Sequence, residues 1–169
     1  AGTASGYRLT RAGLDGAATI DALDSLIRKE RVAGDEFATI CDLSLTADLG
    51  AVTVRSAGHP QPVLAGMGVL VDSSLSTPAG VDLPGDRART GTTHPLPDRW
   101  ELVLFSDGLF EVRDRSTGLM LDVCAVEPAV LQLADSAHLD PDTLIAAFAD
   151  RTDEGWRDDV AVVLISRIS

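Results

Sequence analysis

At 169 residues, with 45% hydrophobic and 24% charged content, the chain is long enough to bury its own core and is neither disordered nor fibrous. Its formal charge of −12 argues against a nucleic-acid binder, which needs basic side chains to displace counterions from phosphates; most of the acidity reads as a solvated surface. No apolar run approaches the roughly 18–20 residues of a membrane span and the first residues lack a signal-peptide pattern, so a cytoplasmic domain with no membrane span is expected.

In chain order, Ala1 to Gly6 are small residues and a helical pattern is expected from Tyr7, interrupted at Gly13 and Gly16. A helix starting at Asp15 or Gly16 would carry Ile20, Leu23, Leu26 and Ile27 on its core face, with Arg28, Lys29 and Arg31 favouring the dipole and Gly34 as a stop. Phe37 to Leu45 and the alternating Ala51 to Ser56 predict strands, joined as an antiparallel hairpin across the Ala47–Gly50 turn. A second short hairpin is expected from Val63–Ala65 and Val69–Val71 around Gly66 and Gly68.

Between these hairpins His59 is framed by Gly58 and Pro60. Such a residue can bind a metal or act as a general acid, or simply order its own turn through a backbone hydrogen bond. Residues 72–99, rich in Ser, Thr, Pro, Gly and Arg, lack periodicity and are expected to form a flexible flap; Arg87 and Arg89 in it read as solvated charges or as phosphate contacts. The two cysteines, Cys41 and Cys124, have no metal-binding spacing and are expected to be buried free thiols.

The richest stretch is WELVLFSDGLFEVRD, residues 100–114. Its apolar run Leu102–Phe105 predicts a buried strand that ends at Ser106, Asp107 and Gly108, so a carboxylate stands at the end of a rigid element. Helices are expected over Val126–Leu133 and Thr143–Ala149, the latter announced by Asp140, Pro141 and Asp142. Asp158 and Asp159 then precede a last strand, Val160–Ile165. Asp107 and Asp158 are expected to meet and bind a divalent metal, although aspartates also stand at strand ends for turn geometry alone. Ser106 has no His/Asp arrangement or G-x-S-x-G around it and is not placed as a nucleophile.

Four segments in order, EFATICDLSL, RSAGHPQPVL, ELVLFSDGLFEVRD and DDVAVVLIS, resemble the PPM-type metal-dependent Ser/Thr phosphatases of the bacterial SpoIIE/RsbU-like branch. The resemblance implies an α+β fold, an αββα sandwich of two antiparallel sheets flanked by helices, as one domain over residues 1–169. It also implies a pair of Mn²⁺ or Mg²⁺ ions with Asp107 and Asp158 as ligands and Asp159 and Gly108 supporting them. The implied reaction is attack of metal-bound water on a phosphoserine or phosphothreonine of a regulatory protein, such as a STAS-type anti-anti-sigma factor. The family's earlier G-D-F/W-Y-D-like and G-D-V-x-G-H-G-like motifs do not occur in these 169 residues. N-terminal truncation is therefore expected, with natural degeneration into a non-catalytic, pseudophosphatase-like scaffold as the alternative. Missing strands would expose sheet edges and invite self-association.

Overall fold

The computed structural model describes residues 16–30, 37–73, 76–81, 89–135 and 139–168, together with the backbone of residues 4–7. Among the described residues eight strands form two four-stranded sheets accompanied by three α-helices, the α+β class expected from the sequence. The chain divides into two compact units, one formed by Ala1–Gln61 and Val71–Pro97, the other by Pro62–Leu70 and Asp98–Ser169.

In the first unit the strands are β1 (Ala4–Tyr7), β2 (Ala38–Leu45), β3 (Ala51–Ala57) and β6 (Thr92–Pro95), in the order β1-β2-β3-β6. The helical pattern expected from Tyr7 is corrected at that residue: Tyr7 ends β1, which runs parallel to β2 with Tyr7 opposite Cys41. Three small residues and a tyrosine carry no usable period, so pairing with a neighbouring strand decides their conformation. The predicted hairpin is present, with Cys41 opposite Ser56 and Leu45 opposite Val52. Its turn is closed by Asp48, whose carboxylate accepts from the Thr46 hydroxyl at 2.6 Å and the Gly50 amide at 3.1 Å. Strand β6 lies inside the stretch that showed no periodicity; Pro95, which has no N–H to give, suits its place at the sheet edge.

Helix α1 (Gly16–Glu30) packs on this sheet because Ile20, Leu23 and Ile27 share one stripe against Ile40, Ala57 and Ala79. Leu26 does not join them and is half exposed. At about 100° per residue it lies about 60° beyond Leu23, outside the buried arc. Gly16 begins the helix where a Cβ would collide with the Asp42 carboxylate, 2.7 Å from its carboxyl carbon and 2.8 Å from Nη1 of Arg55. The expected stop at Gly34 lies outside the described residues.

In the second unit β4 (Val63–Leu64), β5 (Gly68–Val69), β7 (Trp100–Phe105) and β8 (Val162–Arg167) form an antiparallel sheet in the order β5-β4-β7-β8. Every residue of β7 except Glu101 is buried, which is why its sequence reads as a continuous apolar run rather than an alternation. Helices α2 (Val126–Asp135) and α3 (Pro141–Ala149) press Val126, Val130, Leu144 and Phe148 onto Val63, Val103, Phe105 and Leu109. Asp140 caps α3 by accepting from the Thr143 amide at 2.9 Å, with proline at the helix start, as its sequence announces. Of the two free thiols Cys41 is buried, but Cys124 is exposed, contrary to expectation: it sits in the turn entering α2 and not on that helix's packed stripe. Among the described residues no helix is long and apolar enough to cross a membrane.

Candidate functional site

The site is built at one end of the β7–β8 ladder, where Phe105 stands opposite Val162. Beyond Phe105 the chain turns through a single 3₁₀ turn, Asp107–Leu109, so Asp107 is carried on the end of a strand whose packing holds it still. Its carboxylate accepts from the Gly108 amide at 3.1 Å. Across from it, Asp158 accepts from the Asp159 amide at 2.8 Å.

Ser106 joins the two motifs. Its amide donates to the Ala161 carbonyl at 2.9 Å, its hydroxyl donates to the Asp159 carbonyl at 3.1 Å, and the same hydroxyl oxygen accepts from the Ala161 amide at 2.9 Å. Gly108 makes the approach possible. A Cβ there would collide with the carbonyl oxygen of Asp159, lying 3.0 Å from its carbonyl carbon and 3.3 Å from the Asp158 oxygen. The SDG and DD motifs, separated by some 50 residues in sequence, are therefore in backbone contact. An open depression of about 460 Å³, lined by Trp156, Arg157, Asp158, Asp159 and Val160, adjoins the DD motif.

His59 lies in the first unit, buried, with Nδ1 3.2 Å from the Thr39 hydroxyl, while its amide donates to Ser56 Oγ at 3.2 Å and its carbonyl accepts from that hydroxyl at 2.8 Å. Arg89 is buried rather than solvated, paired with Asp21 at 3.0 Å and with Asp24 at 3.8 Å on α1. Burial works against the Asp24 carboxylate, yet the Arg28 guanidinium, the Gly80 amide and Arg89 outweigh it and hold its pKa below the ordinary value. Arg87 lies outside the described residues.

The sequence reading passed over Asp114. Its side chain is buried at the end of the loop that follows SDG, where one carboxylate oxygen accepts from the amides of Ser116 (2.9 Å) and Thr117 (3.1 Å) and from the Ser116 hydroxyl. The other accepts from Nε (3.0 Å) and Nη2 (2.7 Å) of Arg151. The Ser116 contacts foremost, and then Arg151, hold this carboxyl well below the usual carboxylate range. The available signal was the run Asp-Arg-Ser-Thr-Gly at 114–118, an Asx-turn pattern.

The family model described as Stage II sporulation protein E (SpoIIE) matches residues 5–168, nearly the whole chain. The chain belongs to the SpoIIE family. This agrees with the PPM-type, SpoIIE/RsbU-like assignment drawn from the four ordered segments. Among solved structures, the RsbU and RsbW domains of a Mycobacterium tuberculosis protein share the fold at a TM-score of 0.71 and 22% identity, over 92% of this chain and 43% of that one. The phosphatase domain of the Bacillus subtilis cell-fate determinant SpoIIE is similar at a TM-score of 0.51 and 17% identity, over 91% of this chain and 67% of that one. The same domain presoaked with Mn gives 0.54 at 17% identity. This SpoIIE-family chain thus spans less than half of the M. tuberculosis structure and about two thirds of the B. subtilis domain. No curated protein sequence matches it.

Proposed function

We propose that this chain is the catalytic part of a metal-dependent phosphatase that hydrolyses phosphoserine or phosphothreonine on a regulatory protein, of the STAS-type anti-anti-sigma class. One observation supports the reading above the others: Gly108 lets the SDG turn touch the backbone of Asp158 and Asp159, so the two acidic segments lie at one end of a rigid strand pair.

The donors suit a hard cation, being oxygen only, but among the described residues no group of three or more His, Cys, Asp or Glu converges as a metal cage. Two carboxylates fit the open mode of Mg²⁺ and of similar ions, which keep several waters and complete their shell with substrate phosphate. Asp107 and Asp158 would hold the ion, with Asp159 and Gly108 shaping the loop around it. When bound, such an ion polarises phosphoryl oxygens and supplies hydroxide at neutral pH. The chain's own contribution is placement: β7 carries Asp107, Ser106 fixes the DD segment against it, and the depression beside Asp158 leaves room for a phosphorylated side chain.

The test uses the full-length protein with Mn²⁺ and a phosphorylated STAS-domain substrate. Asp107→Asn and Asp158→Asn are expected to abolish phosphate release, and Gly108→Ala to lower it about tenfold or more by forcing the two loops apart. Phosphate release that survives Asp107→Asn would sink the proposal. A second reading is a scaffold that binds a partner without catalysis. It predicts no heat of Mn²⁺ binding to the full-length protein and undiminished partner binding in Asp107→Asn.

A further inference from the structure

The two segments that carry Asp107 and Asp158 are tied together a second time, seven residues along the chain from each aspartate. Asp114 follows Asp107 by seven residues and Arg151 precedes Asp158 by seven. The Arg151 guanidinium donates two hydrogen bonds to one oxygen of Asp114, at 3.0 and 2.7 Å, and the Arg115 amide donates to the Arg151 carbonyl at 2.7 Å. The near ends are already joined by Ser106 and by the contact at Gly108. The two strips of chain therefore form a closed ring, fastened at both ends.

The fastening at Asp114 differs from the pairs around it in its acidic end, which is buried, whereas Arg151 is exposed like the neighbouring arginines. Arg113–Glu154 (3.3 Å), Arg115–Asp153 (3.6 Å) and Arg157–Glu154 (2.7 Å) join exposed side chains, a setting in which ion pairs contribute little. Asp114 is 4% exposed and saturated: besides Arg151 it holds the Ser116 and Thr117 amides, while its own amide donates to the Leu119 carbonyl at 2.8 Å. A carboxylate held from several directions is a fixed post, and Arg151 is anchored to it through two N–H donors that converge on one of its oxygens rather than through a single contact.

We infer that Asp114 and Arg151 are positioning residues, a brace that sets the distance between the SDG turn and the DD segment. The inference rests on the proposed metal site at that edge, because positioning matters only if those aspartates act together. Groups that hold ligand-bearing segments commonly change metal affinity or activity by about 10–100-fold when removed.

Two measurements on the full-length protein separate the brace from the site it serves. The first is amide hydrogen exchange in Arg151→Met and Arg151→Lys. In Arg151→Met, exchange is expected to speed up about tenfold at Leu109, Phe110, Glu111 and Ala161, whose amides close the SDG turn and the Ser106 latch, with no change in β2 and β3. Arg151→Lys, which keeps the charge, is expected to recover part of the protection. Unchanged exchange at those four amides, or a uniform rise that includes β2 and β3, overturns the brace. The second is Mn²⁺ affinity by calorimetry for wild type, Asp107→Asn and Asp114→Asn, with an expected weakening of about tenfold or more in Asp114→Asn. Wild-type binding that Asp107→Asn removes, with full affinity in Asp114→Asn, overturns the brace and leaves the site standing. Faster exchange in Arg151→Met with no Asp107-dependent binding in wild type overturns the metal site and supports the brace as a coupling of the two loops.

Discussion

The two compact units are held together by different physics. Around the first sheet the buried polar groups include Thr39, Asp42, Ser56, His59, Asp72 and Arg89, and among the described residues Ile20, Ile40, Ala57 and Ala79 form a packed cluster under α1. In the second, Phe105, Leu109, Leu144 and Phe148 lie in one apolar cluster, and the buried polar residues described there are Ser106, Asp114 and Thr152. Ser106 latches the SDG turn to the DD segment, and Asp114 fastens the loops behind them. Burial is non-directional and supplies a rigid platform; buried hydrogen bonds are directional and set the position of particular loops. The second unit uses apolar packing for its bulk, and two of its described buried polar groups, Ser106 and Asp114, tie the segments that carry the aspartates.

The largest effect that would test this contrast is Phe148→Ala in the second unit, expected to cost about 3–5 kcal/mol in urea unfolding, as large truncations in close-packed cores do. A loss below about 1 kcal/mol would show that the second unit does not rest on that cluster. Close behind comes Arg55→Met in the first unit. Arg55 donates to Asp42 at 3.0 Å and to Ser44 at 3.0 Å, and removing it leaves a carboxylate that is 4% exposed, at an expected cost of about 3 kcal/mol. If that variant proves as stable as wild type, the directional account of the first unit fails.

A smaller effect concerns pH. The Asp114 carboxyl is held below its ordinary pKa, so the folded state binds fewer protons there than the unfolded state as the medium acidifies. Its stabilisation is fully present above the unfolded value of about 3.9 and is lost as pH falls toward the folded value. The gap in stability between wild type and Asp114→Asn is therefore expected to be constant from neutrality down to about pH 5 and to narrow below about pH 4. A gap that stays constant to pH 2.5 would exclude this role. The smallest perturbation is chemical labelling. Burial, with the neighbouring Asp42 and Asp72 charges, pushes the Cys41 thiol up to about 12, whereas Cys124 is exposed. Iodoacetamide at neutral pH is expected to label Cys124 in the native protein and Cys41 only after unfolding; rapid native labelling of Cys41 would mean that the first sheet opens readily.

The elements were legible wherever a period or a cap was written into the chain. The Ile20–Leu23–Ile27 stripe, the hairpin around Asp48 and Gly50, the Asp140–Pro141 start of α3 and the apolar run ending at Ser106 all correspond to structure. What could not be read was set by partners distant in sequence. Ala4–Tyr7 is a strand because Ala38–Cys41 lies beside it, Thr92–Pro95 because β3 does, and Arg89 is buried because α1 offers Asp21 and Asp24.

By itself the sequence determined that two aspartates stand at strand ends, in the order and company of the SpoIIE family. Tertiary structure decided that the strands carrying them are neighbours, that Gly108 is the residue over which their loops close, and that Asp114 and Arg151 fasten those loops from behind. Local propensity reaches only a few residues along the chain. The contacts that bring Asp107 to Asp158 span about fifty, and only the packing of the whole sheet selects them.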